Sequence, residues 1–394
     1  LDIGAPPERV KEYDRGCIIA RNDKPEEIIE RLISFGEGQR EFSLPYKSEK
    51  LLFIAEENSF ASRYRVEHFQ ETLLRQGYVS DFYQLDDYIK ENKIESLKEY
   101  RSVVFYRCSD VVNVEKIAAK VKEADMHVYY DIDDLVFDYK QIEHLSFLKT
   151  REYRDFAKKT ENTHKCMELA DAILVSTKTL AERVEDSFPD KKAVIKRNVA
   201  SMEMVTLSTD AWKESFHRDD EVWLGYFSGS NTHNKDFAII ENVILKLMEE
   251  YPQLHLRIGG AIKNSVFDKY ENRIDKFDFI EWQKLPEKVA SVDINLMPLE
   301  DTVFHWCKSE NKWMEAGLVH VPSVVSSNKE LDSRIYDKED GFLCHNEEEW
   351  YDTLKLLIED SNLRKTIGDN ANKRILSDYT TAYMDKNAVD LVLS

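Results

Sequence analysis

No stretch of the sequence approaches the roughly 20 consecutive apolar residues that a membrane-spanning helix needs. The first fifty residues also lack the basic, then apolar, then small-residue order of a secretion signal, so the chain reads as cytoplasmic, at most working at the inner face of the cell membrane. Cysteine is scarce: Cys17, Cys108, Cys166, Cys307 and Cys344 are odd in number, far apart and without CxxC spacing. Neither a disulfide framework nor a zinc site is indicated, and buried thiols are the expectation. Positive charge is in deficit. A formal net charge of -20 speaks against a surface devoted to nucleic acid or anionic lipid, which would be repelled at long range, but it leaves room for a local basic pocket. No GxGxxG follows any predicted strand, which argues against a dinucleotide oxidoreductase. An initiator Met is missing as well, and Leu1 in its place points to a fragment or a trimmed start.

At 394 residues the chain is too long for one ordinary core and suits two domains. Its 42% hydrophobic and 33% charged residues describe a folded, water-soluble protein. Residues 1–50 are charged and irregular and read as an appendage, with a helical pattern at 25–35. From Leu51-Leu52-Phe53-Ile54-Ala55 onward, short apolar runs alternate with helical patterns, the rhythm of βαβ units and parallel sheets. Expected strands lie at 51–55, 78–85, 102–106, 127–130, 172–176 and 193–196, forming a first domain over 51–200. A polar, poorly periodic stretch at 201–220 reads as a linker. A second series, at 222–227, 254–258, 279–282, 294–297, 323–326 and 342–344, forms a domain over 221–377. The last segment, 378–394, reads as a helix returning to the first domain. The fold class is thus α/β, with two doubly wound parallel-sheet (Rossmann-like) domains facing a cleft, and chemistry is expected in the loops after the strands.

Three segments could carry it. The loop Ser228-Gly229-Ser230-Asn231-Thr232-His233-Asn234-Lys235-Asp236 joins a strand to a helix. Its small residues, the helix start and Lys235 would suit a diphosphate; a polar turn with a solvated lysine is the plainer alternative. The segment Cys307-Lys308-Ser309-Glu310-Asn311-Lys312-Trp313-Met314-Glu315-Ala316-Gly317 places Lys308, Lys312 and Glu315 on one helical face, either for a ligand or for surface ion pairing. Tyr130-Asp131-Ile132-Asp133-Asp134-Leu135 ends a strand of the first half. Its carboxylates could bind a divalent metal, one could act as general base toward a sugar hydroxyl, or Asp133 or Asp134 could cap the next helix. An acceptor-side role is the reading preferred. Arg63, Arg65 and Arg107 point toward the same cleft in this topology, for an acceptor or for solvent. Trp282 is either a wall for a nucleoside base or a core residue. His68, His127 and His164 receive no role.

Phe227-Ser228-Gly229 through His233-Asn234-Lys235-Asp236-Phe237, with Lys308-Ser309-Glu310-Asn311-Lys312 through Glu315-Ala316-Gly317 and Pro322-Ser323-Val324-Val325-Ser326, resembles the C-terminal half of family 4 glycosyltransferases of the GT-B fold and their relatives in bacterial surface-polysaccharide synthesis. The resemblance implies transfer of a sugar from a nucleotide diphosphate donor to a hydroxyl of a glycan or lipid-linked glycan, with peripheral contact to a membrane-bound acceptor or to other transferase domains. It implies donor phosphates at Gly229 and Lys235 and donor ribose at Glu315, supported by Ser228, Ser309 and Lys312. Retaining members carry a Glu eight positions before the ribose-binding one, and here that position is Cys307. Glu310 is the nearest substitute, so Glu310, Lys308 and Asp133 form the catalytic expectation. Lys308 or Lys312 stands in for an absent phosphate-loop Arg. No metal is expected. A nucleotide-sugar epimerase of the same architecture and a non-catalytic partner subunit stay open as alternatives.

Overall fold

The apolar run at the start of the regular region forms β1 (Lys50–Ala55). Successive side chains of a strand point to opposite faces, and here they enter two different cores. Leu52 and Ile54 pack with Val103, Phe105 and Val128, whereas Leu51, Phe53 and Ala55 pack with Phe69, Leu73 and Val104. Such burial on both faces is why the run does not alternate with polar residues. The computed structural model describes residues 50–56, 60–138, 151–215, 220–228, 234–260, 266–383 and 386–394. The appendage at 1–49, the helical pattern expected at 25–35 and the proposed phosphate ligand Gly229 lie outside the described residues.

β1 is joined by β2 (Ser80–Gln84), β3 (Tyr100–Tyr106), β4 (His127–Ile132), β5 (Ala172–Val175) and β6 (Lys192–Ile195) in a parallel sheet of order β2-β1-β3-β4-β5-β6. A second parallel sheet holds β7 (Val222–Phe227), β8 (Leu254–Gly259), β9 (Ile274–Phe277), β10 (Ile294–Met297), β11 (Ser323–Ser326) and β12 (Phe342–Cys344) in the order β12-β11-β10-β7-β8-β9. This is the doubly wound α/β class expected.

The first helix opens with a π-helical turn, Arg63–Glu67, that buries Arg63, Tyr64, Arg65 and Val66, and continues as α1 (His68–Arg75). Its end is shaped by Gly77, whose φ of 83° lets Tyr78 N return to Leu73 O at 3.0 Å. α2 (Arg151–Glu168) covers the other face of the first sheet. The stretch read as a linker contains α3 (Met202–Glu214), its first turn closed by Ser201 Oγ accepting from Met204 N at 3.2 Å. Its buried positions are Met204, Ser208 and Ala211, too small and polar to give a clear helical period. The strand expected at 279–282 is displaced to β9, an edge strand whose residues are half-buried or exposed and which therefore carries no apolar run. In the second half, α4 (Asn234–Ala238), α5 (Leu285–Ala290) and α6 (Asn311–Leu318) surround the carboxyl ends of the strands.

The two halves share packing. Tyr64, Ala200 and Met204 join Met297, Met314, Trp313 and Tyr379 in one apolar cluster. The chain returns after α6 through Thr381 N to Ala200 O at 3.0 Å. It ends in α7 (Lys386–Val392), which puts Ala388, Val389 and Val392 against Leu51, Phe69 and Val104. Among the described residues, no helix is long and apolar enough to cross a membrane.

Candidate functional site

Doubly wound sheets bind ligands beyond the carboxyl ends of their strands, where the strand order reverses. That point lies between β1 and β3 in the first sheet and between β7 and β10 in the second. Both open onto one cleft of about 640 Å³, lined by Arg107, Asp133 and Asp134 from the first sheet and by Ser228, Gly260, Met297, Lys308 and Lys312 from the second. The volume falls in the range of small-molecule sites.

The second-sheet wall depends on close backbone approach. Gly260 has a φ of 93°, and a Cβ there would lie 2.4 Å from the carbonyl oxygen of Ser228. Glycine alone lets the turns after β7 and β8 meet, with Ser228 N donating to Gly259 O at 3.0 Å. Helix α6 begins at Asn311, with Glu310 at its N-cap. Lys308 therefore precedes the helix and does not share a helical face with Lys312 and Glu315. It reaches the opposite half instead, with Nζ 3.3 Å from Asp134 Oδ1. Ser309 and Asn311 also line the cleft, held by Asn198 Nδ2 at 3.0 and 3.1 Å.

Lys312 is the cation with an unanswered charge. Its Nζ is buried without a hydrogen-bond partner, although the side chain lines the cleft. Burial pulls its pKa down to about 8 against the opposing influence of Asp236 and Glu315. The first-turn N–H groups of α6 add partial positive charge nearby, so this wall is built to receive an anion. Lys235, expected at the phosphates, is exposed and is not among the residues lining the cleft. Its neighbour Asp236 is buried and accepts from Glu300 N at 3.0 Å, which turns α4 so that residue 236, not 235, faces inward.

Across the cleft, Arg107 ends β3 in a left-handed conformation with φ 48°, the kind of local constraint that clusters at functional sites. Its Nε donates to Asp133 Oδ1 at 2.5 Å, and its Nη2 donates to Asp134. Tyr106 OH donates to Asp133 Oδ1 at 3.2 Å. Burial raises the pKa of Asp133, with Arg107 opposing. Burial also works against the charge on Asp134, but Lys308 and Arg107 outweigh it and hold that carboxyl below the usual range. Arg107, Asp133, Asp134 and Lys308 thus form an alternating-charge cluster that crosses between the halves.

Asp131 and Arg65 are corrections. Asp131 lies within β4, opposite Tyr106 and Leu174, so its side chain enters the interior instead of leaving the strand end. Arg65 Nε donates to its Oδ1 at 2.7 Å and Lys196 pairs with its Oδ2, all three residues being fully buried. Neither carboxylate nor guanidinium lines the cleft. Arg63 is likewise not turned to an acceptor: it is buried, with Nη2 2.5 Å from Glu315 Oε1. Tyr64 OH donates to the same oxygen at 2.7 Å.

Trp282 packs against the Arg63 guanidinium, 4.9 Å from the ring centre, and does not line the main cleft. The apolar wall there comes from Phe277, Phe279, Ile280 and Leu285. Glu310 is buried among Arg334, Glu330 and Tyr379, and burial raises its pKa. It does not line the cleft either, because a helix N-cap position turns it behind the first turn. Cys307 is buried in the core of the first half, and its carbonyl accepts from Thr177 Oγ1 at 3.0 Å. Tyr64, Lys196 and Asn198 escaped the sequence reading. A lysine directly after the apolar pair Val194-Ile195 was the available signal for the buried charge.

Among the described residues, one group has spacing suited to a metal ion: Asp236, Glu300 and His305, with ligand atoms within 4.8 Å of one another. The His305 ring is already engaged on both sides, Nε2 lying 3.1 Å from Asp236 Oδ1 and Nδ1 2.7 Å from Thr302 Oγ1.

No protein-family model matches the chain, and no curated protein sequence matches it. Solved structures do resemble it. HepE of Anabaena, solved with UDP and glucose, superimposes with a TM-score of 0.61 at 12% identity, over 88% of this chain and 100% of that one. Sucrose-phosphate synthase of Thermosynechococcus elongatus gives 0.63 at 11% identity, over 87% and 98%. WaaG, a glycosyltransferase involved in lipopolysaccharide biosynthesis, gives 0.59 at 12% identity, over 87% and 99%. At such low identity the likeness concerns architecture: the chain has the GT-B fold of these glycosyltransferases, two parallel-sheet halves with their strand ends turned to a common cleft.

Proposed function

We propose that the chain is a glycosyltransferase that moves a sugar from a nucleoside diphosphate donor to a hydroxyl of a glycan or lipid-linked glycan. The observation that carries this reading is Lys312, a buried cation without a hydrogen-bond partner in a cleft at the reversal point of the second sheet. The donor diphosphate lies against Lys312 and the start of α6, with the nucleoside between Phe277, Phe279 and Leu285 and its ribose at Glu315. The acceptor enters from the Arg107, Asp133 and Asp134 side, and Lys308 links the two sites through Asp134. As the sugar–phosphate bond lengthens, charge grows on the leaving diphosphate, and fixed cations in a water-poor cleft stabilise it most. The kinship of fold with HepE, solved with UDP and glucose, and with WaaG supports a donor of this class and a bacterial surface glycan as product.

The experiment is a thermal-shift screen of nucleoside diphosphates and nucleotide sugars, followed by a transfer assay with glycan acceptors. A ligand that binds only the folded state raises the melting temperature. No shift with any of them would sink the proposal. A second reading, a non-catalytic partner that binds a donor without turnover, is favoured by the burial of both Cys307 and Glu310 away from the cleft. Binding with neither transfer nor hydrolysis of the donor would select it.

A further inference from the structure

Glu315 belongs to the second half, yet its hydrogen bonds come from the first. Arg63 Nη2 lies 2.5 Å and Tyr64 OH 2.7 Å from one oxygen, Oε1. Oε2 accepts no hydrogen bond from any described residue, on a side chain that lines the cleft. The donors are themselves fixed. Arg63 is held with its guanidinium 3.9 Å from the Phe60 ring centre, 4.5 Å from that of Tyr64 and 4.9 Å from that of Trp282. It also donates to Tyr64 OH at 2.8 Å. Both residues are buried in the π-helical turn, which a repacking of exposed side chains could not move.

From this arrangement we infer that Arg63 and Tyr64 are positioning residues for the donor: by fixing Oε1 of Glu315 they aim Oε2 at the ribose hydroxyls of a nucleoside diphosphate. The inference rests on the placement of ribose at Glu315 proposed above. A free glutamate samples several rotamers and loses that freedom on binding, whereas a clamped one has lost it already. Burial keeps the Tyr64 hydroxyl protonated far above the working pH range, with Glu315 adding to the effect and Arg63 opposing it, so Tyr64 is a donor throughout. Ribose recognition then requires both halves: a first half displaced from the second releases the carboxylate, and donor binding favours the closed arrangement.

The test compares a ribonucleotide with its 2′,3′-dideoxy analogue. Calorimetric titration of UDP, GDP and ADP into the wild-type chain selects the tightest, and both forms of it are then titrated into Tyr64→Phe, Arg63→Lys and Glu315→Gln. The wild-type chain should prefer the ribonucleotide by about 10-fold or more, as expected of hydrogen bonds to a charged group. Glu315→Gln should bring that ratio close to one. Tyr64→Phe, which keeps the ring and the packing, and Arg63→Lys should each lower the ratio by about threefold or more while leaving affinity for the dideoxy form unchanged. Equal weakening of both nucleotides would mean a merely structural role and overturn the inference. A ratio erased by Glu315→Gln but intact in both other variants would overturn it too, while leaving the donor site proposed above in place. A ratio unchanged in Glu315→Gln, or no binding of any of the three nucleotides, would overturn that donor site and this inference together.

Discussion

Lys312 holds its ammonium 4.5 Å from the centre of the Tyr226 ring, with no hydrogen-bond partner on its Nζ. The ring face offers a weak attraction that helps keep the cation charged in a buried place, and a diphosphate would supply what is missing. Replacing Lys312 by Met should weaken nucleoside diphosphate binding by about 10- to 150-fold, the range for one charge-assisted contact. The pH dependence has a definite sign. Burial holds the pKa at about 8 in the folded, unliganded chain, and only the protonated form attracts the anion. Affinity should therefore be flat below pH 8 and fall above it, by at most about tenfold per pH unit. Titrations between pH 6.5 and 9.5 check this, and a fall of equal steepness in Lys312→Met would show that another group is responsible.

Asp131 should prove essential to stability and not to ligands. Its carboxylate is the shared partner of Arg65 and Lys196, all within the interior of the first half. Asp131→Ala would leave two buried cations without it, for which a loss of about 3 to 5 kcal/mol is typical. Lys196 sets a pH trend on top. Burial, joined by Arg65 and opposed by Asp131, lowers its pKa to about 7 from the ordinary 10.5. Between those values the unfolded chain binds a proton that the folded chain does not, so this group makes stability rise with pH across that window. Denaturant titrations at pH 7, 8 and 9 should show the rise in the wild-type chain and a smaller one in Lys196→Met. Wild-type-like stability in Asp131→Ala would refute the structural role.

How much of this was legible in sequence depends on where the information sits. Strands buried on both faces, such as β1 and β7, announce themselves as apolar runs, and the α/β architecture followed from their repetition. β9 and α3 did not, because an edge strand needs no apolar run and α3 buries Ser208 and Ala211 where a clearer helix would bury leucine. Site residues divide in the same way. Lys312 and Asp134 could be located from their segments because they follow strand ends. The direction of a side chain is a matter of one residue in phase, and the sequence does not print phase. One position separates Glu310, behind the start of α6, from Asn311, which faces the cleft, and another separates exposed Lys235 from buried Asp236. Pairings across the halves, such as Arg63 with Glu315, join residues 252 positions apart and leave no local trace.

Asp133 is the carboxylate best placed to take a proton from an acceptor hydroxyl. It lines the cleft, and burial raises its pKa against the opposing Arg107, the direction that makes a carboxylate a better base. Asp133→Asn preserves shape and still accepts from Arg107 and Tyr106. Sugar transfer should fall by about 100- to 10,000-fold, the usual contribution of a positioned base, while nucleotide affinity measured by calorimetry stays as in the wild-type chain. A variant with undiminished transfer would remove Asp133 from the mechanism and leave it a partner for Arg107 alone.

Transfer should also be independent of divalent metal. A metal ion at a sugar-nucleotide site serves to neutralise the departing diphosphate, and in this cleft that position already faces Lys312 and the start of α6, with Lys308 close by. The cluster with metal-like spacing, Asp236, Glu300 and His305, has Asp236 and His305 bonded to each other and His305 bonded to Thr302. An ion entering there would have to break both contacts, next to the charge of Lys312, whose interaction with Asp236 already favours the protonated lysine. The transfer rate measured in excess EDTA should therefore match the rate with Mg²⁺ or Mn²⁺ within about twofold, a difference of under 1 kcal/mol in the barrier. Activity lost to the chelator and restored by Mn²⁺ would overturn this expectation. In that case Asp236→Asn, which removes one carboxylate from the cluster, should abolish the restoration if the ion sits there, whereas Asp134→Asn should abolish it if the ion is held on the acceptor side.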